Sequence, residues 1–124
     1  MIPKFRAWDK RENTMRDVAV LHFTKGGKVN SIEYWKTPSE LKSYHVRNLV
    51  LMQSTGLKDK NGVEIFEGDI GWDDHQEVHG QVIFENGAFK YEWENISEDL
   101  FEATDDIEIV GNIHENSELL EGSE

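Results

Sequence analysis

The stretch Gln81-Val82-Ile83-Phe84-Glu85-Asn86-Gly87-Ala88-Phe89-Lys90-Tyr91-Glu92-Trp93 decides the fold class. Two apolar, aromatic-rich runs flank Asn86-Gly87, and Asn-Gly in that setting is the strongest short-range sign of a β-hairpin. Asn tolerates, and Gly favours, the left-handed backbone that such a turn requires. Toward the C-terminus, Ser97-Glu98-Asp99-Leu100-Phe101 reads as one capped helical turn and Glu108-Ile109-Val110-Gly111-Asn112-Ile113 as a strand. Residues 115–120 read as a terminal helical turn or a tail before a frayed end at 121–124.

Toward the N-terminus the same short-strand grammar continues. Val63-Glu64-Ile65-Phe66-Glu67-Gly68-Asp69-Ile70 carries a bend at Gly68, where the Asp69 carboxylate is expected to accept backbone N–H bonds. Lys58-Asp59-Lys60-Asn61-Gly62 is a turn, with Asn61-Gly62 supplying left-handed backbone. Leu49-Val50-Leu51-Met52-Gln53 is a strongly apolar strand. Thr37-Pro38-Ser39-Glu40-Leu41 offers a capped helical turn. Residues 29–35 pair back on residues 17–23 through the Gly-rich loop Thr24-Lys25-Gly26-Gly27-Lys28. The run 17–23 is apolar on both parities, which predicts a strand buried on both faces. Lys4-Phe5-Arg6-Ala7-Trp8 is the first strand, followed by a polar turn over 9–13. The chain is therefore mainly β, with short helical turns, and predicts a small barrel or packed sheets rather than βαβ units.

The 124 residues suit one domain of two subdomains sharing a core. Charge marks the border near Gly62. Residues 1–62 hold 12 Lys+Arg and 6 Asp+Glu, a net of +6, whereas residues 63–124 hold 1 and 19, a net of -18, which together make the net charge of -12. The expected division is a basic β-rich subdomain at 1–62 and an acidic one at 63–124. The absence of cysteine excludes a disulfide framework, a thiolate metal site and a cysteine nucleophile, and fits a reducing cytoplasm. Four Trp, three Tyr and six Phe are too many for a disordered chain. No run approaches the roughly 20 apolar residues of a membrane helix, and Met1-Ile2-Pro3-Lys4-Phe5-Arg6 has no apolar run suited to a signal peptide.

Three segments, in this order and spacing, resemble the YopX-like family of small phage and prophage proteins. They are Lys4-Phe5-Arg6-Ala7-Trp8-Asp9, the middle segment from Leu51-Met52-Gln53 through Gly68-Asp69-Ile70, and Val110-Gly111-Asn112-Ile113-His114-Glu115-Asn116. Ser54 stands where the pattern would carry an aromatic residue, and Gly71 where it would carry an apolar one. The resemblance implies a phage or prophage origin in a bacterial host cytoplasm. It also implies a mostly β fold in which an N-terminal β-hairpin subdomain packs with an SH3-like small barrel formed by the acidic half. It implies no catalytic residues and no ligand, and turn chemistry at Asn61, Gly62, Gly68, Asp69, Asn86 and Gly87 accounts for those residues structurally.

Candidate chemistry is sparse. Asp73-Asp74-His75-Gln76-Glu77-Val78-His79 is the one metal-like cluster, with His75 and His79 four residues apart, as on one helical face. Gly71 and Gly80 bracket it, which favours a loop over a helix. There is no Gly-x-Ser-x-Gly elbow and no phosphate-binding glycine loop, so neither an enzyme nor a cofactor is expected. Trp72, Tyr91 and Trp93 in an acidic field suit a basic protein partner, and the opposite charges of the two halves suit a homo-oligomer. Protein contact or self-assembly is thus the leading expectation. The alternative is nucleic-acid binding by Lys4, Arg6, Trp8, Lys10, Arg11 and Arg16, cations next to an aromatic ring on and after the first strand.

Overall fold

The computed structural model describes residues 4–121. The chain divides into two compact units, Met1–Gln53 and Ser54–Glu124. The charge border at Gly62 thus falls inside the second unit. Charge reports the surface, whereas a unit is defined by pairing and packing, and Ser54 and Lys58 pair with Phe66 and Glu64 of the following strand.

The first unit contains β1 (Phe5–Asp9), β2 (Thr14–Phe23), β3 (Val29–Thr37), β4 (Glu40–His45), a 3-10 turn (Val46–Asn48) and the start of β5 (Leu49–Lys58). These strands are antiparallel in the order β4-β3-β2-β1-β5. β1 is central, with Ala7 opposite Arg16 of β2 and Leu51 of β5. Its small Ala7 is fully buried with Ile32, Tyr34 and Leu49, and Val18, Leu21, Val29, Tyr44 and Leu51 close around them.

Two expectations are corrected here. The strand β2 has no buried residue, and Val20 and Phe23 on it are exposed. Of its apolar run, Val18 and Leu21 pack against the core cluster while Val20 and Phe23 stay exposed, so hydrophobicity on both parities did not mean burial on both faces. The segment Thr37-Pro38-Ser39-Glu40-Leu41 is a hairpin, not a helical turn: Thr37 pairs with Glu40 and Trp35 with Leu41. The Thr37 hydroxyl accepts from Ser39 N at 3.4 Å, using in a turn the same local bond that would cap a helix.

The second unit holds the end of β5, then β6 (Glu64–Phe66), β7 (Asp69–Asp73), β8 (Val78–Glu85), β9 (Ala88–Trp93), β10 (Ile96–Asp99), α1 (Leu100–Ala103), β11 (Ile107–Asn112) and α2 (Glu118–Glu121). Five strands form an antiparallel sheet in the order β10-β9-β8-β7-β11. A four-strand meander is followed by a helical turn and a last strand that returns to the free side of the first. This order is compatible with the SH3-like small barrel. The β8–β9 turn is the predicted one, with Asn86 at φ 54° and Gly87 at φ 81°. Ile65, Val82, Tyr91, Trp93, Leu100, Ala103 and Ile107 make the core of this unit. Each unit thus has its own apolar cluster. Ser97 lies in β10 rather than capping a helix; Asp99 precedes α1 and makes no side-chain cap bond. The terminal helical turn is present as α2, which includes Glu121, so the end expected to fray from 121 is helical at that residue, and the rest of that expectation, 122–124, lies outside the described residues.

Among the described residues, the buried polar side chains are all Asp or Asn: Asp9, Asp59, Asp69, Asp73 and Asn112. Each stands at or beside a strand end and accepts backbone N–H bonds. Asp69 Oδ2 accepts from Phe66 N at 2.8 Å, next to Gly68 at φ 88°. Asp59 Oδ1 accepts from Asn61 N and Val63 N at 2.8 and 2.9 Å. Gly62 takes the left-handed conformation of that turn at φ 82°, and Asn61 does not. Asp73 Oδ1 and Asn112 Oδ1 each accept two N–H groups from the residues that follow. These residues satisfy donors that would otherwise be lost to burial.

Candidate functional site: an acidic, tryptophan-lined cleft

The second unit has a cleft of about 500 Å3 whose walls come from β7, β8, β9 and α2. Register places its residues. Trp72 of β7 sits opposite His79 of β8, with ring centroids 4.7 Å apart. Gln81 of β8 sits opposite Glu92 of β9. Trp93 ends β9, and Glu77 and Glu94 occupy the turns before β8 and after β9. Leu119 and Leu120 of α2 form the remaining wall.

Three glutamates, Glu77, Glu92 and Glu94, line this cleft, and no Lys or Arg does. Among the described residues none of the three is ion-paired. Glu77 and Glu94 both have φ 54°, a left-handed backbone that a long side chain without the local bonding of Asn or Asp adopts at a cost of about 1 kcal/mol. The part-buried Trp72 indole and three carboxylates around an open volume attract a cation: the carboxylates by charge and the ring through its negative face.

Burial first, and nearby acidity second, shift two titrations in this unit. Burial pushes the Glu98 carboxyl up, aided by the negative charges of Glu102, Asp106 and Asp73. The Tyr91 hydroxyl is likewise pushed up, first by burial and then by Asp73 and Glu98.

Of the aromatic residues expected to bind protein, Trp72 is part-buried and lines the cleft, as does Trp93, which is only 8 % exposed. Tyr91 is 1 % exposed and belongs to the core, so it offers no surface. Tyr91 and Trp93 share the inward parity of β9 and the core cluster, with Trp93 at the strand end where the cleft opens, and Glu92 between them faces the other way. The exposed tryptophan is Trp35 of β3, at 46 %.

The histidine pair does not share a helical face. His75 is exposed in the turn after β7, while His79 is part-buried in β8 against Trp72. Among the described residues no group of three His, Asp or Glu side chains is arranged to hold a metal ion.

The residues proposed for nucleic acid are dispersed. Trp8 is 7 % exposed and presents no face for a base. Arg16 is committed within its unit: it bonds Asp9 Oδ2 at 3.3 Å and Glu12 Oε2 at 2.7 Å and lies 4.7 Å over the Tyr34 ring. Arg6 is part-buried, while Lys4, Lys10 and Arg11 are exposed. Arg11 alone of these lines a second cleft, of about 600 Å3, in the first unit, together with Lys42, His45 and Arg47. Lys42, His45 and Arg47 lie between the helical turn expected at 37–41 and the strand expected from 49, a stretch with no local signal for β4 or for the 3-10 turn after it.

The YopX protein family matches residues 4–121. The chain belongs to that family. Solved structures agree: protein EF1440 from Enterococcus faecalis has 34% sequence identity and a TM-score of 0.75, over 97% of this chain and 99% of that one. YopX from Bacillus subtilis has 21% identity and a TM-score of 0.67, over 94% of this chain and 97% of that one, and shares the fold. No curated protein matches. Within the YopX fold, Gly71 has a clear reason: an added Cβ would lie 2.9 Å from Tyr91 Oη. Ser54 replaces aromatic bulk with a hydrogen bond, donating to Glu64 Oε2 at 2.6 Å. No described helix is long and apolar enough to cross a membrane.

Proposed function

We propose that this YopX-family chain is a non-enzymatic phage or prophage accessory protein of the bacterial cytoplasm that acts by protein contact, and that its acidic cleft receives a Lys or Arg side chain from a basic segment of the partner, a second copy included. The observation that carries this reading is the set Glu77, Glu92 and Glu94, unpaired around Trp72 and Trp93. A desolvated cation against an indole face contributes up to about 2 kcal/mol, and neighbouring carboxylates add charge and direction. The exposed Trp35 and Leu41, paired across β3 and β4, and the edge position of β4 support further contact by strand addition. The phage setting is supported by the family resemblance, and a cysteine-free chain suits a reducing compartment.

Titration of the full chain with an arginine-rich peptide, followed by tryptophan fluorescence at low and moderate salt, tests it. Saturable binding that weakens with salt is expected, and Trp72→Ala or Glu92→Gln should weaken it by about tenfold, the loss of one cation–π or charge-assisted contact. Light scattering reports assembly in parallel. No saturable binding at low salt, or undiminished binding by both variants, would overturn the reading.

A further inference from the structure

We propose that the cleft of the first unit binds a phosphate ester, with Arg11, Lys42, His45 and Arg47 as its donors. This goes beyond the protein-contact reading, which concerns the other unit. Arg11 comes from the turn after β1, Lys42 and His45 from the edge strand β4, and Arg47 from the 3-10 turn that follows. The topology brings together cations that lie more than thirty positions apart in sequence at the extremes, Arg11 and Arg47.

Four observations select this ligand. First, among the described residues Arg11, Lys42 and Arg47 have no ion pair, although the chain has nearly twice as many acidic as basic residues, 25 against 13. Second, the one carboxylate lining the cleft, Glu12, is already held by Arg16 at 2.7 Å. Third, His45 Nδ1 accepts from Arg47 N at 3.2 Å, so the proton of the neutral ring sits on Nε2, available as a donor. Fourth, the Arg11 guanidinium lies 5.8 Å from the Tyr44 ring centroid, which holds it on the cleft wall.

Two arginines, a lysine and an imidazole N–H offer more donors than one carboxylate can accept, and guanidinium groups match phosphate oxygens in pairs. The volume of about 600 Å3 is that of a site for an organic molecule, so a bare ion would leave most of it to water. The chemistry is therefore that of a phosphate with its organic part attached, from a nucleotide or from a nucleic-acid strand. Residues 1–53 carry 10 Lys+Arg against 5 Asp+Glu, so the unit that holds the cleft has the sign this ligand needs.

Fluorescence anisotropy of a labelled oligothymidylate against the full chain, at two salt concentrations, is the test, with a mononucleotide, inorganic phosphate and poly-glutamate as competitors. Saturable binding is expected, with a salt slope near -2 if three phosphates are neutralised, at about 0.7 per contact for single strands. Arg11→Gln/Lys42→Gln/Arg47→Gln should lose at least tenfold in affinity, while Lys25→Gln/Lys28→Gln, in the exposed β2–β3 loop, should retain binding. Lys42→Gln alone, an exposed side chain on an edge strand, keeps the test decisive if the triple variant does not fold. Competition by the mononucleotide as strong as by unlabelled strand assigns the site to a nucleotide; competition by strand alone assigns it to nucleic acid; both support a phosphate ester. Absence of binding at low salt, equal competition by inorganic phosphate or poly-glutamate, or full binding by Lys42→Gln and the triple variant would overturn it.

Discussion

Tyr91 occupies its place because Gly80 of the adjacent strand β8 and its partner Gly71 of β7 have no side chains. A Cβ at Gly80 would meet Tyr91 Cζ at 2.4 Å and Cε2 at 2.6 Å, and one at Gly71 would meet Oη at 2.9 Å. Tyr91 is fully buried and cannot swing aside within its core cluster. Gly80→Ala should therefore destabilise the protein by roughly 3 kcal/mol, the upper range for overpacking, and Gly71→Ala by less. Urea unfolding of the two variants checks the order, and a Gly80→Ala midpoint equal to that of the wild type would refute the packing argument. Neither glycine takes a left-handed conformation, so their need is for space. No pattern within Gly71-Trp72 or His79-Gly80-Gln81 announces this, because the ring that fills the space arrives from β9.

At the scale of elements, one carboxylate ties a turn to a distant strand. Asp59 follows β5, closes its own turn through Oδ1, and with Oδ2 accepts from Ile109 N of β11 at 2.8 Å. Burial pushes its carboxyl up, but the bonds from Ile109, Val63 and Asn61 and the Lys60 charge outweigh that and hold it below its ordinary range. A lowered folded value means that the stabilisation is present above the unfolded pKa, about 3.9, and is lost as pH falls through the lower folded value. Asp59→Asn, which removes the charge and one acceptor, should cost about 1–3 kcal/mol at neutral pH. The deficit should narrow when unfolding is measured in acid, and a constant deficit across pH would contradict the assignment. The turn itself was legible from Lys58-Asp59-Lys60-Asn61-Gly62, but its bond to β11 was not, since Ile109 is remote in sequence. The β3–β4 hairpin was hidden for a different reason: Thr-Pro-Ser-Glu suits a helix start and a tight turn equally, and strand pairing decided between them.

Across the whole molecule, charge is segregated by unit. Residues 54–124 hold 3 Lys+Arg and 20 Asp+Glu, so the second unit folds against its own repulsion. Within it, Lys60 reaches Asp74 at 3.4 Å and Lys90 reaches Glu85 at 3.8 Å, exposed pairs that offset little. Added sodium chloride shortens the screening length from about 30 Å at 0.01 M to about 8 Å at 0.15 M, which relieves repulsion more than it weakens those pairs. Thermal unfolding followed at the tryptophans of this unit should therefore move to higher temperature as salt is raised. A fall in midpoint with salt would mean that attraction, not repulsion, dominates there.

The sequence by itself determined the β class, the β8–β9 hairpin at Asn86-Gly87, the bend at Gly68-Asp69 and the family, because turn chemistry and alternation are local and each needs only a few adjacent residues. It also marked Trp72 and Trp93 in an acidic setting. Tertiary structure alone decided that Tyr91 and Trp8 are core, that Trp35 is exposed, that Arg16 is occupied by Asp9 and Glu12, and that Arg11, Lys42 and Arg47 share a cleft. Alternation along a strand says that two faces differ, but not which of them the rest of the chain will cover. That choice depends on residues that become neighbours only when the sheets form.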